Sequence, residues 1–193
     1  YPPLRHAPGH WGLNKVELQF EAQADGTYAT PLDALRESLK GGGALLLSNP
    51  HNPIGKVFGR EELQAVADIC AAQDAWIISD EIHSELCFDG RVHIPTASLS
   101  PEIAKRTITL MSASKAYNIA GLKTSFMIIQ NAALRERVNH ARCGMVDSVN
   151  PLGMEATRVA YSEGAPWLIG KSGSSSACCA WPPPPPARRR TGT

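Results

Sequence analysis

The chain has 193 residues, 43% of them apolar and 19% charged, with a net charge of +1. That is enough for one globular domain with a core, or one domain and a tail, and the longest apolar runs are far short of the about 20 residues of a membrane span. Residues 169–193 hold Lys171 and Arg188–Arg190 and no acid, so 1–168 carry 15 basic against 18 acidic side chains. This net of −3 argues against a nucleic-acid-binding surface.

The start, Tyr1-Pro2-Pro3-Leu4, has no initiator Met and no signal-peptide core, and reads as the interior of a longer chain. Asn14 to Phe20 places Val16, Leu18 and Phe20 in alternation, the pattern of a half-buried strand. Asp25-Gly26 is a turn. Thr30 before Pro31 fits an N-cap with proline at the first helical position, opening a helix through Leu32, Leu35 and Leu39. Gly41-Gly42-Gly43 follow that helix and precede a strand, the reverse of a phosphate-cradling order, and read as a helix stop. Ala44–Leu47 is a short apolar strand running into Ser48-Asn49-Pro50-His51-Asn52-Pro53. An amphipathic helix, Arg60–Gln73, follows with Leu63, Val66, Ala67 and Cys70 on one face. Ala75–Ser79 is a buried strand running into Asp80-Glu81. Thr107–Met111 is another, running into Ser112-Ala113-Ser114-Lys115. Ser125–Ile129 is a fourth, and helical patterns follow at 132–143 and 152–162.

Strands alternating with helices predict an α/β fold, a mostly parallel sheet flanked by helices. The predicted domain is 1–168. Residues 169–193 form a low-complexity tail rich in Pro, Ser and Arg, expected to be disordered. Five cysteines, none in a CxxC pair, favour reduced thiols in a cytoplasmic protein over a zinc site or a disulfide framework. His6 and His10 find no third ligand at suitable spacing and read as loop histidines.

In parallel sheets ligands bind at the carboxyl ends of strands. Three predicted strands end in polar groups: Asn49–Asn52, Asp80–His83 and Ser112–Lys115. A lysine there can form a Schiff base with an aldehyde cofactor. An aspartate can pair with a pyridinium nitrogen, an asparagine can donate to a phenolate oxygen, and serine hydroxyls with a second lysine can bind phosphate. That set suits pyridoxal 5'-phosphate. Each residue also has an ordinary use: a surface lysine, an Asp N-cap, an Asn-Pro turn, a loop serine. Glu81 reads equally as a second acid or a structural group. His51 lines the site, His93 falls in a surface loop, and Tyr117 and Trp76 read as packing groups.

Asn52-Pro53-Ile54-Gly55, Ser79-Asp80-Glu81-Ile82-His83 and Ser112-Ala113-Ser114-Lys115 with Lys123 resemble, in order and spacing, the motifs of fold-type-I pyridoxal-phosphate enzymes of the class I/II aminotransferase family. His83, Asn118-Ile119-Ala120-Gly121-Leu122 and Gly164-Ala165-Pro166-Trp167-Leu168 resemble the cystathionine β-lyase type of carbon–sulfur lyase. The resemblance implies that Lys115 is the Schiff-base lysine and the base at the substrate Cα. It implies that Asp80 meets the pyridine nitrogen, that Asn52 meets the cofactor's 3′ oxygen with His83 near it, and that Ser112 and Lys123 hold the phosphate. Tyr1 falls where an aromatic residue stacks on the ring. The implied activity is lysis of sulfur-containing amino acids, with an aminotransferase as the alternative, and the implied parent is a homodimer with no nucleic-acid or membrane partner.

The family's phosphate-gripping glycine-rich helix start and its carboxylate-binding arginine fall outside this chain, so a non-catalytic truncated fragment is a further alternative. The switch in composition at Ile169-Gly170 is read as a frameshift, a mis-spliced exon or an assembly error. The proline–arginine run 182–190 also has the composition of an SH3-domain ligand.

Overall fold

In the computed structural model, residues 2–144 and 148–172 are described here. Four strands form the main sheet: β3 (Gly43–Ser48), β4 (Ala75–Asp80), β5 (Thr107–Met111) and β6 (Phe126–Ile129). They lie side by side in that order. β3, β4 and β5 run parallel and β6 is antiparallel. The expected mostly parallel α/β sheet is therefore what forms.

Helix α3 (Arg60–Ala72) carries the β3–β4 crossover and buries Leu63, Val66, Ala67 and Cys70. Those residues are spaced three and four apart, so they share one face of a 3.6-residue helix. Val66, Ala67 and Cys70 pack on one side of the sheet with Leu35 and Leu39 from the α2 (Leu32–Ser38) region, Ile77 from β4 and Ile103 from α4 (Pro101–Lys105). A second cluster, Leu47, Phe58 and Leu63, closes the end of that core nearest the β3 exit. On the opposite side of the sheet Leu46, Trp76, Ile78, Ile108 and Leu110 are only half-buried.

Burial in this core lifts the Cys70 thiol to about 11. The thiol stays protonated at neutral pH, and only a thiolate is an effective nucleophile. Alkylation of the folded chain at about pH 8 is expected to label exposed Cys143 and spare Cys70, read peptide by peptide in a mass spectrometer. Equal labelling would mean that this core opens readily.

Several local expectations change. Residues 14–20 form no strand: among the described residues they pair with no other backbone in a ladder. The alternation has another use: Leu18 packs on the main core, and the Phe20 ring meets His51 at 4.9 Å and Phe58 at 6.0 Å, edge to face. In the stretch that follows, β1 (Glu21–Ala22) and β2 (Tyr28–Ala29) pair across the Asp25-Gly26 turn. Thr30 does not cap α2. Pro31 takes the cap position, and the Thr30 hydroxyl donates to Glu62 Oε1 at 2.5 Å instead. Helix α2 ends at Ser38 with Leu39 at its C-cap, ahead of the three glycines; these all have positive φ, and Gly43 is the first residue of β3.

Helix α5 spans Ala132–Ala141, α6 Pro151–Glu163 and α7 Ala165–Ser172. The last crosses the 168/169 boundary, so helix continues four residues into the segment read as tail. The proline and arginine runs lie outside the described residues. His6 and His10 lie on α1 (Pro2–His10), not in a loop. Among the described residues no helix is long and apolar enough to cross a membrane.

Candidate active site at the strand ends

Sheet register brings the predicted residues to one edge. Ser48, Asp80 and Leu110 stand on one rung of β3, β4 and β5, and each chain leaves the sheet just beyond it. Backbone bonds stitch the exits together: Asn49 N–H donates to Asp80 O at 3.0 Å, and Glu81 N–H to Leu110 O at 3.0 Å. Parallel pairing makes this unavoidable, since neighbouring strands end on the same side.

The β3 exit is held by Asn49, which is fully buried. Its Oδ1 accepts from Phe58 N–H at 3.3 Å, and its Nδ2 lies 3.5 Å from Ile94 O. Loop 51–56 closes on itself through His51 N–H to Lys56 O and Gly55 N–H to His51 O, both 2.8 Å, and presents Asn52 exposed at its tip. The peptide bonds Asn49-Pro50 and Asn52-Pro53 are both cis.

At the β4 exit the half-buried Asp80 carboxylate accepts from Ile82 N–H at 3.2 Å. His83 follows on the next turn, within electrostatic range of both Asp80 and Lys115. Burial pushes His83 below 6.5, Asp80 opposes that, and Lys115 adds to it. The β5 exit is loop 112–124. Ser112 is buried; its hydroxyl lies 2.8 Å from Ser114 Oγ, accepts from Ser114 N–H at 3.1 Å and donates to Thr124 O at 2.6 Å. Lys115 is exposed, and Lys123 stands exposed in the left-handed conformation at φ 49°.

The structure thus places His83 within electrostatic range of both Asp80 and Lys115, and bonds the Ser112 hydroxyl to the backbone carbonyl of Thr124, next to Lys123. Asn52 sits on the neighbouring exit loop. Tyr1 lies outside the described residues. Tyr117 is indeed a packing group, with its ring 5.9 Å from Tyr161 and 6.2 Å from Trp167. His93 does not behave as a surface residue: its side chain is 8% exposed, and Nε2 lies 2.8 Å from Glu81 Oε2. Glu81 is buried and also accepts from Ser79 Oγ at 2.8 Å and Thr96 N–H at 3.0 Å. It is a structural anchor facing away from Asp80, as alternation along an extended strand requires. Glu81 and His93 line a cavity of about 440 Å³ with Thr109, Met111 and Ile128, which none of the six described candidates lines.

The edge fits an aromatic aldehyde phosphate on one structural observation. His83 Nδ1 and His51 Nδ1 are buried without a hydrogen-bond partner among the described residues. Buried polar atoms are normally satisfied, so this edge has hydrogen-bonding capacity for a polar guest. Both imidazoles are held below 6.5 chiefly by burial. The unfolded chain therefore binds these protons more tightly, and stability is expected to fall as pH drops below about 6.5. Urea midpoints measured across that range should flatten in His51→Asn/His83→Asn; an unchanged slope would assign the pH dependence elsewhere.

A family model described as aminotransferase class I and II matches residues 14–151. Cystathionine beta-lyase PatB of Bacillus subtilis (strain 168) is 37% identical over 150 residues, covering 76% of this chain and 38% of that protein. Kynurenine–oxoglutarate transaminase 3 of Rattus norvegicus is 47% identical over 85 residues, covering 44% of this chain and 18% of that protein. The crystal structure of cystalysin from Treponema denticola, which contains a pyridoxal 5'-phosphate cofactor, superposes with a TM-score of 0.83 at 34% identity. It covers 88% of this chain and 44% of that one. The chain thus spans less than half the length of these proteins.

Proposed function

This chain belongs to the class I and II aminotransferase family, and from that premise we propose that it carries the cofactor-holding part of a pyridoxal-phosphate-dependent carbon–sulfur β-lyase. The observation that carries the proposal is the shared edge of the β3, β4 and β5 exits, where His83 lies within electrostatic range of both Asp80 and Lys115 and its Nδ1 is buried without a partner among the described residues. Similarity to cystathionine beta-lyases and to cystalysin supports the lyase reading over other chemistries of the family.

When bound, pyridoxal phosphate supplies an electron sink for the pair released at the substrate Cα. Lys115 would hold the cofactor's aldehyde carbon, and its free Nζ would be the base for the substrate Cα proton. Asp80, its carboxylate oriented by Ile82 N–H, holds a proton on the ring nitrogen. His83, kept neutral by burial, and Asn52 meet the ring oxygen. Ser112 and Lys123 hold the phosphate; a lysine there keeps the charge without the fork of an arginine. The substrate is a small amino acid with sulfur on Cβ. The net change with water gives a thiol, pyruvate and ammonia. The proposal extends to a homodimeric parent in the cytoplasm, supported by the family resemblance and the scattered cysteines.

The 47% identity to a transaminase supports a second reading, in which the amino group passes to a 2-oxo acid. Cystathionine separates the two. Pyruvate released without any added 2-oxo acid supports the lyase. Turnover that requires a 2-oxo acid overturns it in favour of the transaminase. Absence of a borohydride-reducible adduct at Lys115 overturns both and leaves the non-catalytic fragment. Within the lyase reading, Asp80→Asn is expected to lower turnover by about 10² or more, because it removes a preorganised charge opposite the ring nitrogen. Cofactor retention with unchanged turnover would remove Asp80 from that role.

A further inference from the structure

Loop 112–124, which carries Lys115, is gripped near its middle and at its far end by a single helix. At the far end stands Asn150, the N-cap of α6. Its Oδ1 accepts from Gly153 N–H at 2.7 Å, and its Nδ2 donates to Leu122 O at 3.0 Å. Gly153 is buried in the first turn of α6. A Cβ built there would lie 2.0 Å from Thr124 Oγ1 and 3.0 Å from Leu122 O. Thr124 O is the acceptor of the Ser112 hydroxyl, and Lys123 lies between the two residues that α6 touches.

Near the middle of the loop stands Gly164, the C-cap of α6. A Cβ there would lie 2.6 Å from Tyr117 Cε1 and 2.4 Å from Ala160 O. Tyr117 follows Lys115 by two residues, and its ring is also packed by Tyr161 of α6 and Trp167 of α7.

Neither glycine is there for its backbone freedom. Gly164 is right-handed at φ −78°, ψ −9°, and Gly153 lies inside a helix without positive φ. A glycine inside a helix costs about 1 kcal/mol relative to alanine. What both supply is the absence of a Cβ, which lets α6 touch the loop at Thr124 and at Tyr117. Close-packed contacts of this kind transmit displacement because they leave no slack.

Resting on the cofactor reading above, we propose that α6 is a positioning strap for the lysine loop: Gly153 and Asn150 set the Leu122–Thr124 segment that places Ser112 and Lys123, and Gly164 sets Tyr117 beside Lys115. A displacement of about 1 Å at such a site is enough to cost two orders of magnitude in function. The strap therefore acts on how the lysine and the phosphate-holding residues meet one cofactor, beyond its share in stability.

The test uses the full chain with added pyridoxal phosphate. The readouts are the cofactor Kd and the pH midpoint of its visible absorbance, with circular dichroism as the check on folding. Gly153→Ala is expected to weaken binding about tenfold or more and to move the midpoint. Gly153→Ala/Thr124→Ala, which deletes the oxygen the new methyl strikes, should recover most of both. Asn150→Asp keeps the cap oxygen for Gly153 N–H but loses the donor to Leu122 O; it should shift both readouts in a folded chain, and it carries the test where Gly153→Ala fails to fold. If the unaltered chain forms no borohydride-reducible adduct at Lys115, the cofactor reading falls and the strap falls with it. If the unaltered chain forms the adduct while the folded variants match it in Kd and midpoint, the strap alone is overturned. A loss that Thr124→Ala does not reverse also overturns it.

Discussion

Lys115→Ala is expected to abolish the borohydride-reducible adduct and to lower turnover by at least about 10⁴, since one substitution removes both the covalent anchor and the base. The same change should leave folding almost untouched. Lys115 is exposed, and exposed substitutions away from special features stay within about 0.5 kcal/mol. Chemistry and stability thus separate at this residue. Lys115→Arg keeps the cation and restores neither role, so it should match the alanine variant in adduct formation and turnover. An adduct that survives in Lys115→Ala, mapped by peptide mass to another lysine, would move the site.

Glu81→Ala is expected to do the opposite. The Glu81 carboxylate is buried and takes bonds from Ser79 Oγ, Thr96 N–H and His93 Nε2, all within 3.0 Å. Removing it strands Thr96 N–H and His93 Nε2 and leaves the Ser79 hydroxyl with Thr96 Oγ1 alone, at 3.0 Å. Each buried donor left unsatisfied costs about 1–3 kcal/mol, so two of them are a large share of the about 5–15 kcal/mol that holds a domain folded. Urea unfolding should show the loss directly. Glu81→Gln keeps an oxygen for Ser79 and Thr96, and its amide can meet the other tautomer of His93, so a much smaller loss is expected. A fall below about 1 kcal/mol in Glu81→Ala would mean that water replaces the carboxylate and that the network is not an anchor. The consequence for the site is indirect: Glu81 ties the end of β4 to residues 93–96, and Asp80 and His83 sit on either side of it.

Much of the fold was legible along the chain. The four main strands lie where the apolar runs fall, because a strand covered by helices must be apolar over a few residues. Helix α3 was legible from its stripe. The failures were also local in cause. Residues 14–20 have the right alternation, but a strand needs a partner, and the partner is not a property of the segment. Thr30 has the right side chain for a cap, but Glu62, brought close by packing, takes its hydroxyl.

The site divides in the same way. Asn52, Asp80, His83, Ser112 and Lys115 could be named because each lies at or just past a parallel strand end, and those ends share an edge; Lys123, just before β6, was named through the family resemblance. Asn49 could have been suspected as a polar residue at the end of an apolar run. His93 could not, since the nearby residues read as an exposed loop and its burial depends on Glu81, 12 residues away. The grip of α6 on the lysine loop was equally hidden, because Gly153 and Thr124 lie far apart in the chain and each looks ordinary alone.

What the amino-acid order determined by itself was the four main strands, the helices α2, α3, α5 and α6, a mostly parallel arrangement and the chemical inventory at the strand ends. These follow from periodicity and from short-range sterics, which act within a few residues. What only the tertiary structure decided was which of those groups are pinned and by what. Asp80 is held by its own turn, Ser112 by Thr124, Glu81 by His93, and the lysine loop by two glycines of a distant helix. Hydrogen bonds and close packing act through space over a few ångströms, so residues far apart in order become partners only once the chain has folded.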